Sequence, residues 1–139
     1  MNWLGYALLS ALFAGATAIL AKIGVRDVPS NLATAIRTAV ILVFAWGIVF
    51  ARDETRALRG LSERTALFLV LSAIATGCSW LAYFKALQLA PASRVAPIDK
   101  LSLPISVVLA FAVLGEPISG RLLAGIGLMV LGSLLTIGA

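Results

Sequence analysis

The chain has 139 residues, of which 61% are hydrophobic and 12% charged, and its mean hydropathy is +1.06. Soluble domains contain about 45–50% apolar residues, so this composition excludes an ordinary soluble domain and predicts a protein surrounded by lipid. The net charge of +5 does not indicate a nucleic-acid partner, because the basic residues divide almost evenly between the two sides of the predicted membrane.

Five apolar segments are long enough to cross a bilayer, since a helical span needs about 20 residues. None has the strict two-residue alternation of a membrane strand, so each must satisfy its backbone hydrogen bonds internally as a helix. We therefore predict an all-α, multi-pass membrane protein that forms a single domain over residues 1–139. The predicted spans are residues 3–21, 32–51, 65–89, 94–115 and 120–138.

The first span, residues 3–21, is rich in small residues and has no acidic residue. Only Met1 and Asn2 precede it, without the Lys or Arg that a secretory signal carries, so we expect it to remain in the mature protein. Small residues on one face favour close packing against another helix, either within the chain or with a partner. The alanines on that face are Ala7, Ala11, Ala14, Ala18 and Ala21.

The second span, residues 32–51, contains a basic residue. Ser30 and Asn31 are typical of a helix start, which places Arg37 about two helical turns into the membrane. An ionisable residue at such depth indicates a functional site by default. The alternative is that its long side chain extends back to the headgroups.

The third span, residues 65–89, carries hydroxyl groups at helical spacing and has Lys85 near its end. These groups either line a cavity, with Trp80 and Tyr83 as an aromatic wall, or form a packing seam with aromatic residues at the membrane interface. Lys85 either belongs to a basic entrance or extends to the headgroups. The hydroxyl-bearing residues are Ser72, Thr76, Ser79 and Tyr83.

The fourth span, residues 94–115, contains the adjacent charges Asp99 and Lys100. A carboxylate side chain is too short to extend far toward the headgroups, so this pair is the strongest candidate for a functional site in the membrane. Ser102 and Ser106 follow Asp99 at i+3 and i+7 and share its helix face. We expect this face to line a polar pathway.

Two prolines, Pro97 and Pro104, are predicted to break the fourth helix. Pro104 has no amide hydrogen, which predicts that the carbonyl of Lys100 lacks its helical partner. Leu103 precedes this proline and is expected to leave helical angles. A free carbonyl beside two charges would follow, as in the interrupted helices of transporters, which expose backbone groups only where they line a cavity.

The deep charges all enter the membrane from the same side in this topology. Arg37 lies near the start of the second span, and Asp99 and Lys100 lie near the start of the fourth, while Lys22 and Lys85 lie close to that side. Together they predict an electropositive vestibule with one carboxylate. Such an entrance attracts anions or zwitterions and repels simple cations.

The fifth span, residues 120–138, has no charge beyond Arg121 and is assigned to scaffold and assembly. The near balance of Lys and Arg across the membrane gives no preferred orientation, so we expect insertion in both directions and an antiparallel pair. The alternative is one topology set by the loop 52–64. The amino-terminal side has Arg52, Arg56, Arg59, Arg64 and Arg121, and the other side has Lys22, Arg26, Arg37, Lys85, Arg94 and Lys100.

The segment 86–119, ALQLAPASRVAPIDKLSLPISVVLAFAVLGEPIS, followed by the glycine-rich residues 122–138, resembles the carboxyl-terminal part of an EamA domain of the drug/metabolite transporter superfamily. The Gly115–Glu116 step is similar to the one between the fourth and fifth helices of that family. The resemblance implies half of a ten-helix inverted-repeat fold, completed as an antiparallel homodimer or as a heterodimer with a sister chain. In related small multidrug resistance proteins a first-helix glutamate exchanges protons for cations, and this first span lacks one.

The resemblance implies a secondary transporter of small polar metabolites such as amino acids, an exporter in the inner membrane of a bacterium. Two alternatives remain open: a non-transporting membrane subunit, and a flippase of a lipid-linked anionic cargo. One cysteine and no histidine exclude a Cys/His metal site within one chain, and we predict no cofactor and no enzymatic activity. The expected partners are membrane lipid, the solute and a second chain, and the candidate binding or gating residues are Arg37, Lys85, Asp99, Lys100, Ser102, Ser106, Trp80 and Tyr83.

Overall fold

The computed structural model describes residues 2–137, and every regular element within that range is helical. A 3-10 helix, Glu54–Gly60, connects the second and third α-helices, and a π-helical turn, Ala110–Leu114, follows the fifth. The α-helices are α1 Trp3–Gly24, α2 Ser30–Ala51, α3 Glu63–Leu89, α4 Ala92–Asp99, α5 Ser102–Leu109 and α6 Gly120–Leu135.

Four helical segments in the described range are long and apolar enough to cross a membrane. They are α1, α2, α3 and the segment Ala92–Leu114, which combines α4, α5 and the π-helical turn. The predicted all-α membrane fold is therefore confirmed for these four spans. The fifth predicted span corresponds to α6, which has 16 residues, fewer than the about 20 that a span needs. Five spans and a single domain over 1–139 stay predictions.

Local sequence explains where several helices begin. The Ser119 side chain accepts a hydrogen bond from the amide of Leu122 at 3.2 Å, which caps the start of α6. Ser62 accepts one from the amide of Thr65 at 3.1 Å at the start of α3. Pro29 precedes α2 with a φ of −53°, close to the angle that its ring imposes.

The end of the segment Ala92–Leu114 depends on one glycine. Gly115 has a φ of +69°, a left-handed conformation that costs a residue with a Cβ about 1–2 kcal/mol. Its amide donates to the carbonyl of Phe111 at 3.2 Å, and the amide of Glu116 donates to that of Ala110 at 3.3 Å. The backbone of the Gly115–Glu116 step therefore closes this helix.

The described chain divides into two compact units, residues 21–88 and the described residues on either side of that range. In the first unit the best-buried apolar side chains belong to Val25, Phe84 and Leu87, with exposures of 2%, 2% and 0%. In the second unit α6 contacts both α4 and α5. No more than 6% of the residues in each candidate span are buried in the single chain, as expected for helices whose apolar side chains face lipid.

Candidate functional site

Arg37 stacks on two aromatic side chains within the unit 21–88. The centre of its guanidinium lies 4.5 Å from the ring centroid of Trp80 and 5.4 Å from that of Phe84. Trp80 and Phe84 are four residues apart on α3, so their rings lie on one helix face. The negative face of an aromatic ring attracts a cation. We call Arg37, Trp80 and Phe84 the arginine–aromatic cluster.

The cluster holds a half-buried cation without a carboxylate. Two ion pairs occur in the described part of the chain, Arg56 with Asp53 at 3.0 Å and Lys100 with Asp99 at 3.5 Å, and neither includes Arg37. The ring contacts are measured to the central carbon of the guanidinium, and its N–H donors point outward in its plane. These donors are the part of the cluster that can bind another group.

A second set of polar contacts fastens the carboxyl end of α3. The Lys22 ammonium donates to the carbonyl of Leu87, and the Gln88 side-chain amide donates to the carbonyls of Val25 at 3.1 Å and Val28 at 2.8 Å. We call Lys22 and Gln88 with these three carbonyls the latch. A cation at the carboxyl end of a helix satisfies a terminal carbonyl and interacts favourably with the negative end of the helix dipole.

The latch adds a contact for Lys22. From the sequence this residue lies either in the basic vestibule or at the headgroups, and in the structure its ammonium also bonds the backbone at the end of α3. Gln88 was not singled out in the sequence, and neither was the ring of Phe84 beside Arg37. Two aromatic residues four positions apart on one helix can contact an arginine on a neighbouring helix, and this spacing is a sequence signal for Phe84. Nothing in the sequence marks Gln88.

The other predicted residues of α3 lie in different surroundings. Tyr83 is half-buried, with its ring centroid 6.2 Å from that of Phe84, and Lys85 is exposed. The hydroxyl of Thr76 donates to the carbonyl of Ser72 at 2.9 Å, one turn earlier in its own helix. That bond is local to the helix and leaves open whether these hydroxyls line a cavity or a packing seam.

The segment Ala92–Leu114 is interrupted at its charged pair. Asp99 is the last residue of α4, Lys100 lies in the turn, and α5 begins at Ser102. The side chains of Lys100 and Asp99 are 49% and 36% exposed in the single chain. Ser102 and Ser106 are also exposed, and the Ser106 hydroxyl donates to the carbonyl of Ser102 at 2.8 Å.

The backbone around the interruption differs from the prediction. The carbonyl of Lys100 accepts a hydrogen bond from the amide of Leu103 at 3.0 Å, and Leu103 is helical, so the expected free carbonyl and non-helical Leu103 are wrong. The chain tightens instead, because the amide of Leu101 also bonds three residues back, to Ile98 at 3.0 Å. The i+3 bond to Lys100 replaces the i+4 bond that Pro104 cannot donate.

Pro97 does not end the helix in which it lies. It is an internal residue of α4, which continues to Asp99. The amide of Lys100 then donates to the carbonyl of Pro97 at 3.1 Å. The interruption therefore falls between the two predicted prolines and coincides with the charged pair.

The structure places the candidate residues in the two units. Arg37, Trp80, Tyr83 and Lys85 belong to residues 21–88, and within that unit Arg37 and Trp80 are in contact. The other unit contains Asp99, Lys100, Ser102 and Ser106, and within it Asp99 and Lys100 form an ion pair.

Among the described residues no group of three or more His, Cys, Asp and Glu side chains is placed to hold a metal ion.

Residues 1–138 match the sequence profile of the EamA-like transporter family. The chain belongs to this family. It is also 46% identical over 134 residues to a Sinorhizobium sp. protein named "Uncharacterized transporter in cobO 3'region", a match that covers 96% of this chain and 95% of that protein. No solved structure matches the chain. The resemblance predicted from the sequence is confirmed, and the EamA-like chain is an integral membrane transporter.

Proposed function

We propose that this EamA-like protein is a secondary transporter that exports small polar metabolites, such as amino acids or related compounds, across the inner membrane of a bacterium. Each copy contributes five spans, with residues 120–138 as the fifth. Two oppositely inserted copies, or one copy and a sister chain, enclose a pathway that opens to either side in turn.

The exposure of the charged pair carries this proposal. Asp99 and Lys100 lie inside the candidate span Ala92–Leu114, yet their side chains are 36% and 49% exposed in a single chain. A charged residue at the centre of a membrane helix costs about 2.5–3.5 kcal/mol on insertion scales, and such residues face the interior of a bundle or a water-filled cavity. A second chain that completes a polar pathway supplies that environment.

Roles follow from chemistry and position. Arg37, Lys85, Asp99 and Lys100 bind the solute or gate its pathway, because they are the charged groups in or near the spans. Ser102, Ser106, Trp80 and Tyr83 line the pathway with hydroxyls and rings. The interruption of the helix at Lys100, between Pro97 and Pro104, lets α4 and α5 tilt independently as the pathway opens. Those charged residues come from α2, α3 and the interrupted helix.

Asp99 is the group that we propose to couple transport to protons. It is the carboxylate inside the four candidate spans, apart from Glu63 at the first residue of α3. Protonation removes its charge and its attraction for Lys100. A carboxylate that gains and loses a proton on the two sides of the membrane links the proton gradient to the movement of a solute.

Flux through purified protein in liposomes tests the proposal. The vesicles are loaded with a panel of radiolabelled amino acids, and their loss is followed with and without a pH gradient. We expect gradient-dependent efflux of at least one compound, and its abolition by Asp99→Asn. Asp53→Asn, in the loop before the 3-10 helix, is the matched control and should leave efflux unchanged. Equal efflux from Asp99→Asn would remove the coupling role, and efflux no faster than from protein-free vesicles would contradict the transport function.

A further inference from the structure

The arginine–aromatic cluster points to the chemical class of the solute. We infer, on the basis of the proposed transport function, that Arg37 is the residue that recognises the solute and that the group it recognises is a carboxylate. Trp80 and Phe84 position the guanidinium, and its edge binds the two carboxylate oxygens. The proposed amino-acid substrates all carry this group.

Arg37 has no carboxylate partner among the described residues. Arg37 lies in α2, whose hydropathy is that of a membrane span, and neither ion pair of the described chain includes it. An arginine that serves only to join helices is expected to pair with a carboxylate, because a buried charge without a partner is destabilising. Stacking on two rings offsets part of that cost. An anionic ligand offsets the rest when it binds.

Two ring contacts hold the guanidinium of Arg37 in place. The ring centroids of Trp80 and Phe84 lie 4.5 Å and 5.4 Å from its central carbon, and contacts with two side chains limit the positions that it can adopt. A guanidinium edge presents two parallel N–H donors that match the two oxygens of a carboxylate. A restrained guanidinium loses less entropy when that pair of hydrogen bonds forms.

The charge of the arginine–aromatic cluster favours a carboxylate over a phosphate. The cluster supplies one guanidinium and therefore one positive charge, which suits a monovalent carboxylate. A phosphate carries up to two charges and three acceptor oxygens at neutral pH, and it favours several donors. The Lys22 ammonium in the same unit keeps its charge but is held at the end of α3 by its bond to the carbonyl of Leu87, and the cation in contact with the rings of Trp80 and Phe84 is Arg37.

The experiment uses Trp80 as its own reporter. The chain has three tryptophans, Trp3, Trp46 and Trp80, and the double variant Trp3→Phe, Trp46→Phe leaves Trp80 as the one tryptophan, which is excited selectively over tyrosine. Its fluorescence in liposomes is titrated with iodide, an anionic quencher, with caesium, a cationic one, and with neutral acrylamide. A local positive charge raises the concentration of anions nearby about tenfold or more, so we expect the ratio of iodide to caesium quenching to be about tenfold higher for Trp80 than for free N-acetyltryptophanamide.

Variants at Arg37 separate charge from shape. Arg37→Gln should remove the preference for iodide, while Arg37→Lys should retain it. Propionate should compete with iodide in the parent protein, whereas neutral propionamide should not, and Arg37→Lys should lose most of that competition because an ammonium lacks the two-pronged edge. Acrylamide quenching and thermal unfolding of each variant show that the fold is intact.

Arg64 provides a matched control on the same helix. Its guanidinium lies 5.9 Å from the ring of Phe68, but it lies 16 residues from Trp80, about 24 Å along an α-helix. Arg64→Gln removes the same charge and the same type of ring contact. We expect no change in the quenching of Trp80 by iodide.

Several results would overturn the inference. They are an iodide-to-caesium quenching ratio in the parent equal to that of free N-acetyltryptophanamide, unchanged iodide quenching in Arg37→Gln, and stronger competition by inorganic phosphate than by propionate. The quenching assay needs no transport, so its outcome is independent of flux. Propionate competition in a protein without flux would contradict the proposed transporter alone, and amino-acid flux that survives Arg37→Gln would contradict the recognition role alone.

Discussion

The latch and the interrupted helix use polar groups in opposite ways. In the latch, Lys22 and Gln88 bond carbonyls that lie 60 to 65 residues away in the sequence. Around Lys100 and Asp99 the polar contacts that the structure shows join residues one to four positions apart. Long-range bonds fix one part of the fold against another, whereas local bonds leave a helix free to meet a group from outside.

The latch and the interrupted helix also differ in how deeply their side chains are buried. Leu87 and Phe84, beside the latch residues in sequence, are 0% and 2% exposed, while Ser102 and Ser106 are exposed and Asp99 is partly so. The comparison teaches that long-range bonds and burial occur together at the carboxyl end of α3, whereas the charged helix combines local bonds with a partly exposed ion pair. Substitutions in the latch should therefore change stability, and those in the interrupted helix should change transport.

The largest loss of stability is expected from Leu87→Ala. A fully buried leucine that becomes alanine costs about 2–5 kcal/mol, because the lost methyl groups leave a cavity. Leu89, two residues later in α3, is 75% exposed, and Leu89→Ala should cost far less. Chemical unfolding in detergent micelles gives both values. Similar losses from the two variants would show that this end of α3 is not a packed corner.

A smaller loss is expected from Gln88→Met. Methionine keeps the length of the side chain but cannot donate to the carbonyls of Val25 and Val28, and an unsatisfied buried acceptor costs about 1–3 kcal/mol. Gln88 lies within the part-buried latch, so the lower half of that range is expected. The same unfolding assay measures it, and amide hydrogen exchange should rise in the connection around Val28. An unchanged midpoint would mean that water replaces both bonds.

The positions of the helices could be predicted from the sequence more accurately than the contacts between their side chains. Predicted starts at residues 3, 32, 65 and 94 lie within two residues of the observed Trp3, Ser30, Glu63 and Ala92, because hydropathy and helix-start residues are local properties. The latch could not be predicted, since a glutamine that bonds two distant carbonyls has the same local pattern as one in water. The prediction of a free carbonyl at Lys100 was wrong because it considered i+4 hydrogen bonds alone, whereas the chain forms i+3 hydrogen bonds there.

Pro104→Ala tests whether the interruption of the helix at Lys100 is needed for transport. Alanine restores an amide that can donate to the carbonyl of Lys100, so we expect a more continuous helix and a small gain in stability. Flux should fall severalfold, because α4 and α5 would then move as one rod. Pro117→Ala, which lies after the Gly115 turn, is the control and should leave flux unchanged. Faster flux from Pro104→Ala would show that the interruption is not part of the transport cycle.

The smallest effect on stability is expected from Asp99→Asn. Its pair with Lys100 is partly exposed at 3.5 Å, and exposed pairs contribute about 0–1 kcal/mol. The same substitution should abolish flux driven by pH, so one residue separates stability from function. A loss of stability as large as that of Leu87→Ala would place Asp99 in a structural role and remove the difference between the two regions.

Insertion in both directions is the claim on which the antiparallel homodimer depends, and cysteine labelling measures it directly. Arg59 lies exposed in the 3-10 helix between α2 and α3, so Arg59→Cys in a Cys78→Ser chain gives one reactive thiol on that side of the membrane. An impermeant maleimide should label about half of the protein in intact cells, as two oppositely oriented copies require, and all of it in broken cells. Labelling of all copies or of none in intact cells would show one orientation and contradict the antiparallel homodimer.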